Sequence, residues 1–210
     1  MACKLTTVRG ERLPQTPWNT YPRPQMRRES YMNLNGEWFF AGDGADYDRK
    51  ILVPFCPESD LSGIGAHFAE GSKLCYLRGF ELPEGFNRGR VLLHIGAADQ
   101  TADVYLNGKP VGSHQGGYDA FSFDITDFLK EGVNSLEIIC TDDLTNQSFP
   151  YGKQTLKRGG MWYTPVSGIW QSVWLESVPA EYIQKLHIKN RGYGVTISVE
   201  PALEGTVHVT

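Results

Sequence analysis

Trp162 and Tyr163 are adjacent aromatics, and Asp142, Asp143, Lys153 and Gln154 precede them within about one loop's length. Such a set suits a ligand with one apolar face and a polar rim, such as a sugar ring. The ring face stacks on an aromatic side chain while carboxylate, amide and ammonium groups bond the rim. The competing reading packs Trp162 into a domain interface and uses Asp143 to tie down its own loop. A second cluster, His114, Gly116, Gly117 and Tyr118, has paired glycines that let a backbone approach something closely. That something is either a neighbouring domain, for which the segment is a buttressing turn, or a pocket that it helps to shape.

Other chemistries fail on spacing. Gly63-Ile64-Gly65 opens like a dinucleotide loop but runs on to Phe68 with no helical pattern behind it. Gly152-Lys153-Gln154 lacks the Ser or Thr of a phosphate loop, and Ser167-Gly168 lacks the Gly that precedes a nucleophile elbow. Asp43, Asp46 and Asp48 could wrap a calcium ion, but their spacing is not that of an EF-hand, and a solvated hairpin tip is the expected reading. The five histidines are scattered, so neither metal nor cofactor is expected. Glu58 and Glu176 read as surface charges, Asp99 and Asp124 as turn and cap formers, and Arg78 as a buried ion-pair partner.

The elements that must position these residues are strands. The 210 residues are 40% apolar, 21% charged and 12% aromatic, an ordinary globular composition with enough apolar content for a sizeable core. A formal charge of -4 and a pI near 5.7 give no electrostatic footprint for nucleic acid. No apolar run approaches the roughly 18 residues that span a bilayer, and the start of the chain lacks a signal-peptide pattern, so no membrane partner and a cytoplasmic location are expected. Cys3, Cys56, Cys75 and Cys140 are far apart in sequence and read as free thiols.

Residues 1–30 form an arm in which Pro14, Pro17, Pro22 and Pro24 argue against helix and central strand. Short runs bounded by turn residues follow at 37–40, 51–53, 74–82, 90–95, 102–106, 121–125, 136–141 and 169–178, the spacing of a β-sandwich. Phe121, Phe123 and Ile125 alternate with polar residues, as a half-buried strand requires. Asn107-Gly108 accepts the positive φ angles of a tight hairpin. One helical turn is predicted, with Thr126 capping 127–130 and Gly132 as its stop. In 169–175, Trp170 and Trp174 share one face while Ile169, Val173 and Leu175 share the other. The tryptophans therefore need a cover, supplied by the arm, a loop or a second domain. Beyond residue 180 the pattern restarts at 182–188, 195–199 and 206–209, the first strands of a second β domain.

Leu34-Asn35-Gly36-Glu37-Trp38, Val53-Pro54, Tyr76-Leu77-Arg78-Gly79-Phe80, Val104-Tyr105-Leu106-Asn107-Gly108, Gly112-Ser113-His114-Gln115-Gly116-Gly117-Tyr118, Phe123-Asp124-Ile125-Thr126 and Ser167-Gly168-Ile169-Trp170 occur in this order. As an ordered set they resemble the N-terminal sugar-binding domain of glycoside hydrolase family 2, which includes β-galactosidases, β-glucuronidases and β-mannosidases. The resemblance spans most of residues 33–178. It implies an all-β fold: a jelly-roll, galactose-binding-domain-like sandwich over 31–180, then an immunoglobulin-like sandwich beginning at 181–210. In the family a (β/α)₈ barrel carries the catalytic glutamates, and the missing domains would be this chain's partners together with a β-glycoside. A barrel needs about 250 residues, so the chain alone is expected to be inactive and no catalytic residue is assigned. The family places an Asp shortly before the Gly-Ile strand, whereas this chain reads Gly160-Met161-Trp162-Tyr163 there. Trp162, Tyr163, Asp142, Asp143, Lys153 and Gln154 are the expected sugar contacts, and His114, Gly116, Gly117, Tyr118, Trp170 and Trp174 the expected domain interface. The alternatives are an independent carbohydrate-binding module and a purely structural docking module.

Overall fold

The computed structural model describes residues 7–143, 148–157 and 159–203. Two antiparallel sheets face each other. One, of four strands, runs β1 (Ser30–Asn33), β12 (Val173–Val178), β5 (Arg90–Ile95), β9 (Phe121–Asp124). The other, of six, runs β3 (Arg49–Val53), β2 (Gly36–Gly42), β4 (Lys73–Phe80), β10 (Asn134–Thr141), β7 (Thr101–Leu106), β8 (Lys109–Gln115). A short pair, β6 (Ala98–Asp99) with β11 (Gly168–Ile169), closes one end. The chain is thus an all-β sandwich, as its turn spacing predicts.

The core lies between the sheets because the strands alternate. In β10, Leu136, Ile138 and Cys140 are buried and Ser135 is exposed, while β4 contributes Leu74, Tyr76 and Phe80 to the same layer. Each large apolar side chain buried in this way contributes about 1.5–3 kcal/mol. At the β7–β8 hairpin, Asn107 (φ 54°) and Gly108 (φ 76°) take the two left-handed positions. Asn107 also donates to Phe128 O and Asn134 Oδ1 and so fixes the next turn.

All six residues of β12 are buried. Val173 and Leu175 face the core, whereas Trp174 and Glu176 face the arm, which supplies the cover that the tryptophan pattern requires. Arg23 lies 5.8 Å from the Trp174 ring centroid, and His94 stacks on that ring at 5.0 Å. Glu176 is therefore not the surface charge expected: its side chain is fully buried. It accepts from the Tyr21 hydroxyl, from Arg23 at 2.5 Å and from Trp174 Nε1 at 3.0 Å, with Arg28 at 3.9 Å. His94 Nε2 lies 3.4 Å from Oε2 without the alignment of a full hydrogen bond, so the arginines and not His94 supply the opposing charge.

Other local expectations shift. The arm holds a short helix, α1 (Val8–Glu11), capped by Thr7 ahead of the first proline, and a 3₁₀ turn at Pro24–Met26. The predicted 127–130 turn is instead 3₁₀ over Thr126–Phe128, which places Thr126 inside the turn, its hydroxyl accepting from Val91 N (2.9 Å) and donating to Asp124 Oδ1. Arg78 is half-buried and bonds the Glu37 main-chain carbonyl rather than an acid. The 169–178 run breaks at residues 170–172, between β11 and β12. Cys56, Cys75 and Cys140 are free, while Cys3 and the 206–209 run lie outside the described residues. After the sandwich, β13 (Ile183–Arg191) and β14 (Gly194–Pro201) form a separate ribbon, which Arg28 joins to the arm by donating to Ile183 O. Among the described residues no helix is long and apolar enough to cross a membrane.

Candidate functional site

β11 anchors the loop that carries the two predicted aromatics. Gly168 sits at φ 70° against the buried Tyr76 hydroxyl, which also accepts from Ile169 N at 3.3 Å. Just before it, Ser167 donates through N (3.2 Å) and Oγ (2.6 Å) to Glu58, so Glu58 is a half-buried loop anchor and not a free surface charge. Gln154, 8% exposed, accepts from Val166 N (2.6 Å) and donates to Asp99 Oδ2 (3.2 Å) and Tyr118 Oη (3.4 Å). One amide thereby joins both limbs of the loop to the sheet end.

The limbs also pair through the main chain: Tyr163 N donates to Lys153 O (2.7 Å) and Thr155 N to Tyr163 O (3.1 Å). With the backbone so occupied, Trp162 (40% exposed) and Tyr163 (66%) point outward beside exposed Lys153. A rigid aromatic pair on a braced loop can stack on an apolar ligand face without a large ordering cost.

The base of the loop is acidic. Asp142 is pushed up to about 7, first by burial and then by the nearby charges of Asp99 and Glu58. Burial likewise raises Asp99, against the hydrogen bond from Gln154. A carboxyl whose folded pKa lies above its unfolded value stabilises the fold at low pH and loses that contribution as pH rises through the folded value. The protection of amides in residues 148–157, taken relative to base-catalysed exchange of an unfolded chain at the same pH, is therefore expected to fall between about pH 4 and 7, and Asp142→Asn to flatten the dependence. Unchanged pH dependence in the variant would remove Asp142 as its source.

The structure gathers some of the expected residues and separates others. Gln154, Tyr118, Gly117 and Trp170 meet: Trp170 Nε1 donates to Gly117 O (2.8 Å), and its ring meets Tyr118 edge-on at 6.0 Å. Gly117 also lets Asp99 approach, since a Cβ there would fall 2.1 Å from Asp99 Oδ1. Asp142 and Asp143 are half-buried at the loop's root and not at its tip. His114 stacks on Phe121 (4.1 Å) with Nε2 3.2 Å from the carbonyl of the buried Gly116. Trp174 lies apart, under the arm. Asp99 and Glu58 are the residues that sequence reasoning missed; Asp99 and Gln100, a polar pair directly after Ala97-Ala98 and between two strand runs, are the one signal of a buried polar site. Asp124 accepts from Thr126 N at 3.0 Å, a local turn bond, and the 3₁₀ turn that follows has no side-chain cap. Asp43 accepts from Ser72 Oγ (2.9 Å) and Lys73 N (3.0 Å), and no three metal-ligating side chains converge among the described residues.

Residues 64–179, more than half of the chain, match the family described as glycosyl hydrolases family 2, sugar binding domain. The chain belongs to this family. It is similar to a protein named putative β-glucuronidase from Formosa agariphila, 32% identical over 181 residues that cover 81% of this chain and 21% of the relative. A β-glucuronidase of Bacteroides fragilis is 46% identical over 121 residues, covering 54% of this chain and 16% of that protein. A solved β-glucuronidase from Ruminococcus gnavus shares the fold with a TM-score of 0.66 at 23% identity, over 88% of this chain and 36% of that one. The family 2 chain thus spans about a fifth of the length of the relatives it matches in sequence. Within this family 2 domain, the 148–167 loop carries its exposed aromatics on a carboxylate base.

Proposed function

We propose that this chain is the N-terminal sugar-binding domain of a β-glycosidase, and that its braced loop completes one wall of a sugar site whose catalytic groups lie in a barrel elsewhere in the polypeptide. On this reading residues 31–180 are the sugar-binding domain and 181–210 begin the immunoglobulin-like domain that leads to the barrel. The observation that carries it is the outward display of Trp162 and Tyr163 on main chain held by Gln154. A side chain presented so openly contributes little to the sandwich core, while its indole face is free to stack on a pyranose.

In the complete polypeptide, Trp162→Ala is expected to lower kcat/KM about tenfold, mostly through KM, the loss of roughly one stacking contact. The melting temperature should move by no more than about 2 °C, because the removed side chain is exposed. A large fall in melting temperature with unchanged kinetics would instead make Trp162 a packing residue and defeat the proposal.

A further inference from the structure

On the arm side of β11, with Val166 of the 148–167 loop in its lining but Trp162 and Tyr163 outside it, lies an open cleft of about 410 Å³, within the ordinary size range of small-ligand sites of about 300–1,000 Å³. Its aromatic walls are Trp18 from the arm, Phe55 from the turn after β3 and Trp170 from the break between β11 and β12. Ser59, Gln171 and Ser172 add polar groups at the edges. Trp18 and Phe55 meet at 5.1 Å with their planes tilted by 55°.

Both walls are built before any ligand arrives. Asn35, fully buried, donates to Pro17 O (3.1 Å) and to Ser172 Oγ (2.9 Å) and accepts from Val173 N (3.0 Å), so a single amide ties the arm wall to the strand wall. Asn33 donates to Trp18 O at 3.1 Å. On the far side, Trp170 is held by its bond to Gly117 O. Trp18 is nevertheless 55% exposed and takes a left-handed φ of 50°, a conformation that is unfavourable for a bulky residue. A large indole held in a costly backbone state by two asparagines, with more than half its surface in water, is arranged for something other than its own core.

We propose that this cleft is a second carbohydrate subsite, one that takes an uncharged pyranose between Trp18 and Trp170. The preference follows from the lining, which contains no Asp, Glu, Lys, Arg or His. Cys56, the one lining thiol, stays protonated because burial pushes it up to about 11, helped by the Glu58 charge. A uronate carboxylate entering the cleft would lose water and meet no cation, whereas neutral hydroxyls find Ser and Gln partners. The proposal rests on the reading of the chain as a carbohydrate-handling domain, but needs no barrel and no contribution from Trp162.

The test uses the ¹⁵N-labelled 210-residue chain and follows the indole N–H signals of its five tryptophans, with Trp18→Phe and Trp162→Phe as assignment variants. Methyl β-galactoside and methyl β-mannoside are expected to shift the Trp18 and Trp170 signals saturably, and methyl β-glucuronide to leave them in place. Trp18→Ala should weaken binding, read from Trp170, about tenfold or more. Phe55→Ala, which removes the ring packed against Trp18 but lies outside the arm, should do the same, whereas Trp162→Ala should change nothing. The proposal is overturned if no neutral glycoside gives saturation, if the shifts follow Trp162, if the glucuronide binds as well as the neutral sugars, or if both wall variants bind normally. Loss of turnover on Trp162→Ala in the complete polypeptide is a separate readout, so either reading can fail while the other stands.

Discussion

Glu176→Ala is expected to reduce folding stability by about 3 kcal/mol, the low end of what removing one partner of a buried ion pair costs. The value sits at the low end because Arg23 and Arg28 retain 26% and 17% side-chain exposure and can regain some water. By the usual scaling for a chain of this size, the melting temperature falls by about 6–12 °C. Loss of the carboxylate leaves Tyr21, Arg23 and the Trp174 indole N–H without their shared acceptor. The pH profile identifies the source. Burial alone would raise the Glu176 pKa, but the neighbouring His94 imidazole and the hydrogen bonds from Tyr21 and Arg23 outweigh burial and hold it down to about 2. Its contribution is present above the unfolded value of 4.5 and disappears as pH falls toward 2. His94, kept neutral by burial, adds a further loss that begins as pH drops below its unfolded value of 6.5. Denaturant titrations at pH 3, 4 and 7 should show the gap between wild type and Glu176→Gln closing toward acid; a gap independent of pH would mean that the carboxylate is not the anchor.

Gly168→Ala is expected to cost about 2–5 kcal/mol. Part is the penalty of a Cβ at φ 70°, about 1–2 kcal/mol, and part is overpacking, about 1–3 kcal/mol. The new Cβ would stand 2.1 Å from the Tyr76 hydroxyl and 3.1 Å from its ring carbon, and Tyr76 is fully buried with no room to withdraw. Adding Tyr76→Phe removes the oxygen that is struck and should recover the overpacking share but not the backbone share. The double-mutant cycle therefore returns a coupling of about 1 kcal/mol or more. If the alanine variant unfolds within about 0.5 kcal/mol of wild type, β11 is not seated on Tyr76 and the loop's anchoring has to be sought elsewhere.

The sandwich was legible because its signals are local. Alternation in 121–125 and Asn107-Gly108 each specify backbone geometry within a few residues. The outward-facing Trp174 was legible as a demand for cover, since an apolar surface of that size on a strand's second face has no other resolution. Which segment answers the demand was not legible, because Arg23 and Tyr21 reach Glu176 across more than 150 positions. For the same reason Glu176 looked like an ordinary surface acid. The loop aromatics could be named from residue type, but not their brace, since Gln154 works through Asp99, Tyr118 and Val166, three partners from three separate segments. The helical turn after Thr126 was misread because a hydroxyl that suits a cap can equally sit inside the turn and serve a neighbouring strand, as that of Thr126 does with Val91 N.

The arm's attachment also bears on the order of events during synthesis. Arg23 leaves the ribosome 153 positions ahead of the carboxylate it binds, an interval of about 8–30 s at ordinary elongation rates of about 5–20 residues per second. For that time Tyr21 and Arg23 lack the acid they bind, although Asn33, Asn35 and Phe55 are already present to hold the arm near Pro17 and Trp18. The Arg23 end of the arm thus closes over the sandwich like a latch only once β12 has been made.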